Sequence, residues 1–245
     1  MSDPHSHDDH EHTHEHTHEH THEHDAQSGD LVALLNGVDK FSRDVFPENQ
    51  ALFESLASQQ SPHTLFITCA DSRVSPEMIT QTQPGDLFVS RNIGNIVPAY
   101  GEMLGGVSAV VEFAVLALNV RQIVICGHTD CGAMKGLASG GASAAGMPTV
   151  QTWLRNAEAA RGVVLARHIE EDGLVQAMVE ENVRLQLIHL RTHPAVAARL
   201  AEGRLAVQGW VYDIGHGSIS VLDDDGSRFG TLEQARTRLL QKAKA

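Results

Sequence analysis

Apolar and polar positions along the chain switch between two periods, and the switches mark its elements. Leu31, Leu34, Leu35 and Val38 recur at helical spacing, as do Ala51, Leu52 and Leu56 beyond a break at Pro47. One or two N-terminal helices are therefore expected, with the globular part starting near Gly29. Thr64–Thr68 (TLFIT) is a continuous apolar run of the kind that forms a buried strand. Pro84-Gly85 signals a turn, and Leu87–Ser90 follows it as a second strand. Residues 103–118 read as a mostly apolar helix with Val107, Val110, Val111, Ala114 and Leu118 on one side. Gln122–Cys126 (QIVIC) is a third buried strand. Between Gly136 and Gly146 the chain is nearly all Gly, Ala and Ser, which reads as a flexible loop. Helical spacing returns over 150–160 and 174–190, and Pro194 opens a short helix. Leu205–Asp213 alternates as a strand, with Ile219–Leu222 as its hairpin partner across Gly215–Gly217. The rest of the C-terminus reads as helical.

Strands separated by helices predict an α/β fold with a largely parallel sheet and helical additions at both ends. Two segments follow. Residues 1–27 form a His/Asp/Glu-rich tail, and residues 28–245 form a single domain large enough to bury a core. The tail holds ten histidines between positions 5 and 24, alternating with Asp, Glu and Thr, and nothing in it can build a core. It is expected to be disordered. Alternating imidazoles and carboxylates suit weakly bound, exchangeable metal; the plainer alternative is a solvated acidic tail.

Charge narrows the partners. The formal net charge is −13, but residues 1–25 hold eight of the 31 acids and none of the 18 bases, leaving the remainder at −5. No basic stripe exists to neutralise phosphates, which argues against a nucleic-acid partner. No apolar run approaches a membrane span and no signal peptide opens the chain, so no membrane partner and a cytoplasmic address are expected. Three cysteines are too few for a disulfide framework and fit a reducing compartment, where they serve as ligands or nucleophiles.

Two of those cysteines sit in the segments that carry chemistry. Cys69-Ala-Asp-Ser-Arg73 follows TLFIT, and Gly127-His128-Thr-Asp-Cys131-Gly132 follows QIVIC. Functional groups gather outside the carboxyl ends of strands in an open parallel sheet, so these loops can converge. Together they offer two thiolates and one imidazole, a set that zinc favours. Three protein ligands leave a fourth tetrahedral position for water, as in catalytic sites; a structural site would close with a fourth Cys or His. Cys126 falls inside the strand and points into the core. Each cysteine alone would read as a small buried hydrophobe, and the paired motifs reverse that reading. Asp71 and Arg73, two residues apart, can pair; the arginine would keep Asp71 ionised, ready to accept a hydrogen bond from zinc-bound water or hydroxide.

At these residues the chain resembles the β-class carbonic anhydrases. Cys69-x-Asp71-x-Arg73-Val74 and Gly127-His128-x-x-Cys131-Gly132 are similar to that family's two signature motifs. Pro84-Gly85-Asp86, Arg91-Asn92-x-Gly94-Asn95, Gly105-Gly106, Glu112-Phe113-Ala114 and Gly209-Trp210-Val211-Tyr212-Asp213 add to the likeness, which spans roughly 30–225. The resemblance implies a mostly parallel twisted sheet with an antiparallel edge strand, flanked by helices. It implies a homodimer or higher homo-oligomer whose N-terminal helices pack on the partner. It implies one Zn2+ per chain on Cys69, His128 and Cys131, with Asp71 and Arg73 as the catalytic dyad. The reaction implied is reversible hydration of CO2 to bicarbonate and a proton, by attack of zinc-bound hydroxide.

Some relatives shut at low pH, with bicarbonate held by a Trp/Arg/Tyr trio. Here Phe66 stands at the tryptophan position beside Arg91 and Tyr212, so the chain resembles the constitutively open, plant-like subgroup. That subgroup's substrate pocket maps to Gln60, Phe88 and Phe113. Rival readings are a zinc-binding or storage protein, motivated by the tail, and a cysteine-nucleophile hydrolase, which leaves one cysteine idle. A carbonyl sulfide or carbon disulfide hydrolase on the same fold is nearer.

Overall fold

The computed structural model describes residues 19–102 and 105–242. Most of the expected tail therefore lies outside the described residues. The described chain forms two compact units, one ending at Ser58 and one beginning at Gln59.

In the first unit, helix α1 (Glu19–Lys40) starts well ahead of Gly29. Residues 19–28 contain no Gly or Pro, and Glu, Ala and Gln favour helix although they carry no apolar period. A π-helical segment, Phe41–Val45, and a short α-helical turn, Phe46–Glu48, continue α1 through Pro47. A proline in the first turn of a helix gives up an N–H that is unpaired there anyway, so the break falls instead at Asn49, between this turn and α2 (Gln50–Leu56). Phe53 links them, its ring centroid 5.6 Å from that of Phe41 and 5.4 Å from that of Phe46. The apolar stripe Leu31, Leu34, Leu35 and Val38 is exposed in the single chain.

The second unit is built on a six-stranded sheet, ordered β2-β1-β3-β4-β5-β6. Its strands are β1 (Thr64–Cys69), β2 (Leu87–Asn92), β3 (Gln122–His128), β4 (Ala206–Asp213), β5 (Ser218–Leu222) and β6 (Phe229–Thr231). The first four pair in parallel; β5 and β6 add antiparallel at one edge. The edge thus has two antiparallel strands where one was expected, because the three residues of β6 are too few to show alternation. The helices are α3 (Pro76–Thr80), α4 (Gly106–Glu112), α5 (Gly132–Ala138), α6 (Pro148–Leu154), α7 (Glu158–Ala166), α8 (Glu171–Thr192), α9 (Pro194–Ala201) and α10 (Leu232–Lys242).

Alternation along β1 and β3 sends their residues to opposite faces. Leu65, Ile67, Ile123 and Ile125 join the main core with Val179, Val183 and Leu187 of α8. Phe66, Val124 and Cys126 form a smaller cluster with Leu87, Val89, Trp210 and Tyr212 on the other face. Two glycines let α8 settle close on the sheet. A Cβ at Gly127 would stand 3.0 Å from both Val179 and Val183, and one at Gly209 2.7 Å from Val183.

The Gly/Ala/Ser stretch expected as loop is partly helical. Helix α5 enters it, and Ala142–Ala144 forms a 3-10 turn. Met134, Leu137 and Ala144 are buried and anchor these turns, while the small residues between them give no readable period.

Candidate metal centre

Parallel register decides what meets at the carboxyl edge of the sheet. Thr68 of β1 lies opposite Cys126 of β3, so Cys69 leaves the sheet beside the last residues of β3. His128 is the final residue of β3, and Cys131 precedes the first turn of α5. The Cys69, His128 and Cys131 ligand atoms all lie within 4.8 Å of one another, and all three residues are buried. Among the described residues this is the one such group of three or more metal-capable side chains. The structure thus brings together the three proposed ligands.

The imidazole is held for coordination. Its Nδ1 lies 2.8 Å from the carbonyl of Thr129; a carbonyl only accepts, so Nδ1 carries the proton. The opposite nitrogen, Nε2, then offers a lone pair, and it is fully buried with no hydrogen-bond partner. Buried polar atoms are almost always paired, so an orphan nitrogen within 4.8 Å of two sulfurs fits the role of a metal ligand. Two sulfurs and an imidazole nitrogen match the preferences of zinc.

The two thiols divide one proton between them. The hydrogen bond from Cys131 is the largest cause lowering Cys69 to about 4, against burial and helped by the nearby His128 ring and the backbone N–H groups of Gly94 and Asp71. The same contact holds the Cys131 thiol well above its ordinary value, with burial adding to it. For His128, burial favours the neutral ring, but contacts with Cys69 and the Thr129 carbonyl outweigh it and the net direction is upward. Cys126 is buried in the sheet, and burial pushes its thiol up to about 12.

Asp71 and Arg73 form the expected pair. The guanidinium donates from Nε to Oδ1 at 2.9 Å and from a terminal nitrogen to Oδ2 at 2.8 Å, and the Arg73 backbone N–H adds a third bond at 3.0 Å. This fork holds the Asp71 carboxyl far below the usual carboxylate range. Oδ2 of Asp71 lies 3.8 Å from Nε2 of His128, which puts the carboxylate at the rim of the candidate metal position.

Three features escaped sequence reasoning. Arg73 also reaches Asp130 at 3.2 Å, and Lys135 pairs with the same carboxylate. Arg91 donates to the carbonyls of Cys69 at 3.1 Å and Asp71 at 2.6 Å, clamping the loop between them. Gly94 N–H points at Cys69 Sγ, 3.4 Å away. The sequence signal for the first was the charge run Asp130-x-x-x-x-Lys135; the other two involve backbone groups and leave none. Of the proposed pocket residues, Phe88 and Phe113 come together with ring centroids 5.9 Å apart. Gln60 is exposed in the segment before β1.

Comparison with known proteins agrees with this geometry. The sequence model of the carbonic anhydrase family matches residues 64–219, more than half of the chain and both motif loops. The carbonic anhydrase of Pseudomonas aeruginosa is 52% identical over 202 residues, covering 82% of this chain and 91% of that protein. The solved structure of the β-carbonic anhydrase CcaA superposes with a TM-score of 0.80 at 43% identity, covering 82% of this chain and 99% of that one.

The chain belongs to the β-carbonic anhydrase family.

A second relative, carbonic anhydrase 1 of Escherichia coli O157:H7, is 55% identical over 197 residues, 80% of this chain and 90% of that protein. A structure described as one of two tetrameric β-carbonic anhydrases from Sordaria macrospora covers 83% of this chain and all of that one, at a TM-score of 0.73 and 32% identity. The chain is thus an enzyme of the carbonate dehydratase type. No helix among the described residues is long and apolar enough to cross a membrane.

Proposed function

We propose that this carbonic anhydrase binds one zinc ion through Cys69, His128 and Cys131 and catalyses the reversible hydration of CO2 to bicarbonate and a proton. The observation that carries this reading is the buried, unpaired Nε2 of His128 within 4.8 Å of two cysteine sulfurs. When bound, zinc supplies Lewis acidity that brings the pKa of water from 15.7 toward about 7.

The chain's own groups supply the rest. Asp71, kept ionised by Arg73, is an acceptor only. Its Oδ2 accepts a hydrogen bond from the reacting oxygen, turning a lone pair toward CO2 and admitting only a species that still carries a proton. Arg73, fixed on its far side by Asp130, holds that carboxylate still. Phe88 and Phe113 offer an apolar surface for CO2, and Gln60 is proposed to join them at the pocket. The exposed stripe on α1 is proposed to pack on a second copy of the chain, giving a homodimer or larger assembly, in keeping with the tetramers of Sordaria macrospora. The enzyme is proposed to work in the cytoplasm, with further metal held loosely on the His-rich tail.

Stopped-flow CO2 hydration by protein lacking residues 1–27, with zinc measured on the same sample, tests the reading. About one zinc per chain with hydration rising between pH 6.5 and 9 supports it. Zinc without hydration would redirect the search to carbonyl sulfide or carbon disulfide. Absence of bound zinc would leave neither reading standing.

A further inference from the structure

The segment from Asn92 to Tyr100 touches the metal centre at Gly94 and has little regular structure, yet many of its backbone polar groups are paired. Trp153 Nε1 donates to the Ile93 carbonyl at 2.7 Å. The Asn92 side chain takes both the N–H and the carbonyl of Ile96, at 2.7 and 3.0 Å. Most of the other partners come from one face of α8. Asn182 Nδ2 donates to the Gly94 carbonyl at 2.9 Å, and Gln186 Oε1 accepts from the Val97 N–H at 2.9 Å. His189 Nδ1 bonds the Val97 carbonyl at 3.0 Å, and Thr192 Oγ1 accepts from the Tyr100 N–H at 2.8 Å. Spacings of three and four place these side chains along one stripe of the helix.

Two members of the stripe form a closed relay. Gln186 Nε2 donates to Asn182 Oδ1 at 2.8 Å, and both residues are fully buried. Gly94 C=O and Val97 N–H are positions i and i+3 of a turn, the pair that bond directly in a closed turn. Here two side-chain amides span the gap between them. The backbone ends leave each amide one orientation, because an N–H can only donate and a carbonyl only accept. The relay therefore has a single polarity and holds the turn open at a fixed width.

Gly94 is the residue this relay grips, and its N–H is the group that faces Cys69 Sγ. Gly94 has φ +76°, and a Cβ there would stand 3.0 Å from Ala133 Cβ. Gly94 is thus held between α5 and α8, its N–H and its carbonyl belonging to successive peptide units joined at its Cα. We infer that Asn182 and Gln186 are positioning residues of the metal centre: through the open turn they aim the Gly94 N–H at the Cys69 sulfur. The inference rests on the reading of Cys69 as a zinc ligand. An N–H donated to a metal-bound sulfur draws charge from it and fixes its direction, and outer partners of this kind tune both affinity and electronic structure.

The test uses full-length protein, zinc-loaded and cobalt-substituted. Asn182→Leu removes the donor at similar volume, Gln186→Met breaks the relay one step further out, and Gln186→Glu keeps an acceptor for Val97. Leu190→Ala, a fully buried change one turn beyond Gln186 that removes no hydrogen-bonding group, controls for lost packing. Expected for Asn182→Leu is zinc release into excess chelator about tenfold faster, with a displaced sulfur-to-cobalt charge-transfer band. Gln186→Met should move both in the same direction and Gln186→Glu should restore part of each. Leu190→Ala should lower the melting temperature and leave both unchanged. Should Asn182→Leu fail to fold, the two Gln186 variants decide. Release rates and bands equal to wild type, or matched by Leu190→Ala, would overturn the inference while leaving the zinc site intact. Wild-type protein that takes up neither metal at Cys69 would overturn the zinc reading itself, and the inference with it.

Discussion

Arg73 holds both carboxylate oxygens of Asp71 in a planar fork, at 2.9 and 2.8 Å. Lysine is a point charge on a flexible stem and cannot hold both oxygens at once. Arg73→Lys should therefore lower kcat/KM about tenfold while leaving one zinc per chain, since the ligands are untouched. Stopped-flow hydration paired with metal analysis checks this, and a variant with unchanged kcat/KM would show that the fork only ties down the loop. The pH sign follows from the same geometry. A carboxyl lowered in the folded protein stabilises it above the unfolded value of 3.8, and that contribution fades only as pH falls through the depressed folded value. Asp71 thus stays charged from pH 5 to 9, and loss of activity inside that window belongs to another group. In Arg73→Gln the carboxyl should move back up, so acid inactivation begins at higher pH than in wild type.

The three cysteines should separate chemically. Cys69 is drawn down to about 4 by its hydrogen bond with Cys131, whereas burial lifts Cys126 to about 12. Only the thiolate is a nucleophile. In metal-free protein near pH 7.5, iodoacetamide should label Cys69 first and leave Cys126 unmodified until the protein unfolds, as read by peptide mass mapping. Zinc should protect Cys69, and Cys126→Ser should still bind one zinc. Loss of zinc in that variant would mean that the sulfur assignments are wrong.

Close packing of α8 on the sheet gives a stability prediction. A methyl at Gly209 would stand 2.7 Å from Val183 Cγ1 and 3.0 Å from Leu187 Cδ1, with both partners wedged in the core. Overpacking of this kind costs about 1–3 kcal/mol. Gly209→Ala should lower stability by that amount in urea melts with an unchanged m-value. A neutral result would show that α8 can shift outward without loss.

What the sequence discloses about this molecule follows from where its information lies. Strands β1 and β3 are buried on both faces and read as unbroken apolar runs, TLFIT and QIVIC, so their ends and the two motif loops were legible. The grouping of Cys69, His128 and Cys131 and the Asp71–Arg73 pair followed, because each loop carries its own chemistry within a few residues. Helix α5 and strand β6 were not legible: one is hidden by small residues, the other by its three-residue length. Asn182 and Gln186 were overlooked for another reason. They interrupt the apolar stripe of α8 at i and i+4, a signal present in the chain, but their partners are backbone atoms some 90 positions earlier. Only the folded structure shows what those amides hold.

The exposed stripe on α1 makes a prediction about assembly. Leu31, Leu34, Leu35 and Val38 each leave more than half of their surface open in the single chain. An exposed apolar stripe at this spacing suits the proposed docking against a second copy of the chain. A Leu34→Asp/Leu35→Asp double variant should sediment as a smaller species than wild type and hydrate CO2 more slowly, if the partner completes the site. An unchanged sedimentation coefficient would assign assembly to another surface.

The His-rich tail calls for a measurement that separates loading from turnover. Ten histidines lie between residues 5 and 24, interleaved with acids, and the tail has no Lys or Arg to oppose a cation. Imidazole and carboxylate at this density bind divalent metal weakly and exchange it quickly. The proposed ligands Cys69, His128 and Cys131, by contrast, are buried and must be reached from solution. A tail that concentrates zinc near the chain would speed filling of the site when metal is scarce, without touching catalysis once it is filled. Deletion of residues 1–27 should therefore leave kcat and KM of the zinc-loaded enzyme unchanged. The same deletion should slow recovery of activity when metal-free enzyme is given zinc at or below one equivalent. The difference should vanish at high zinc, where delivery no longer limits. Equal recovery at limiting zinc would mean that the tail plays no part in loading, and its histidines would need another explanation.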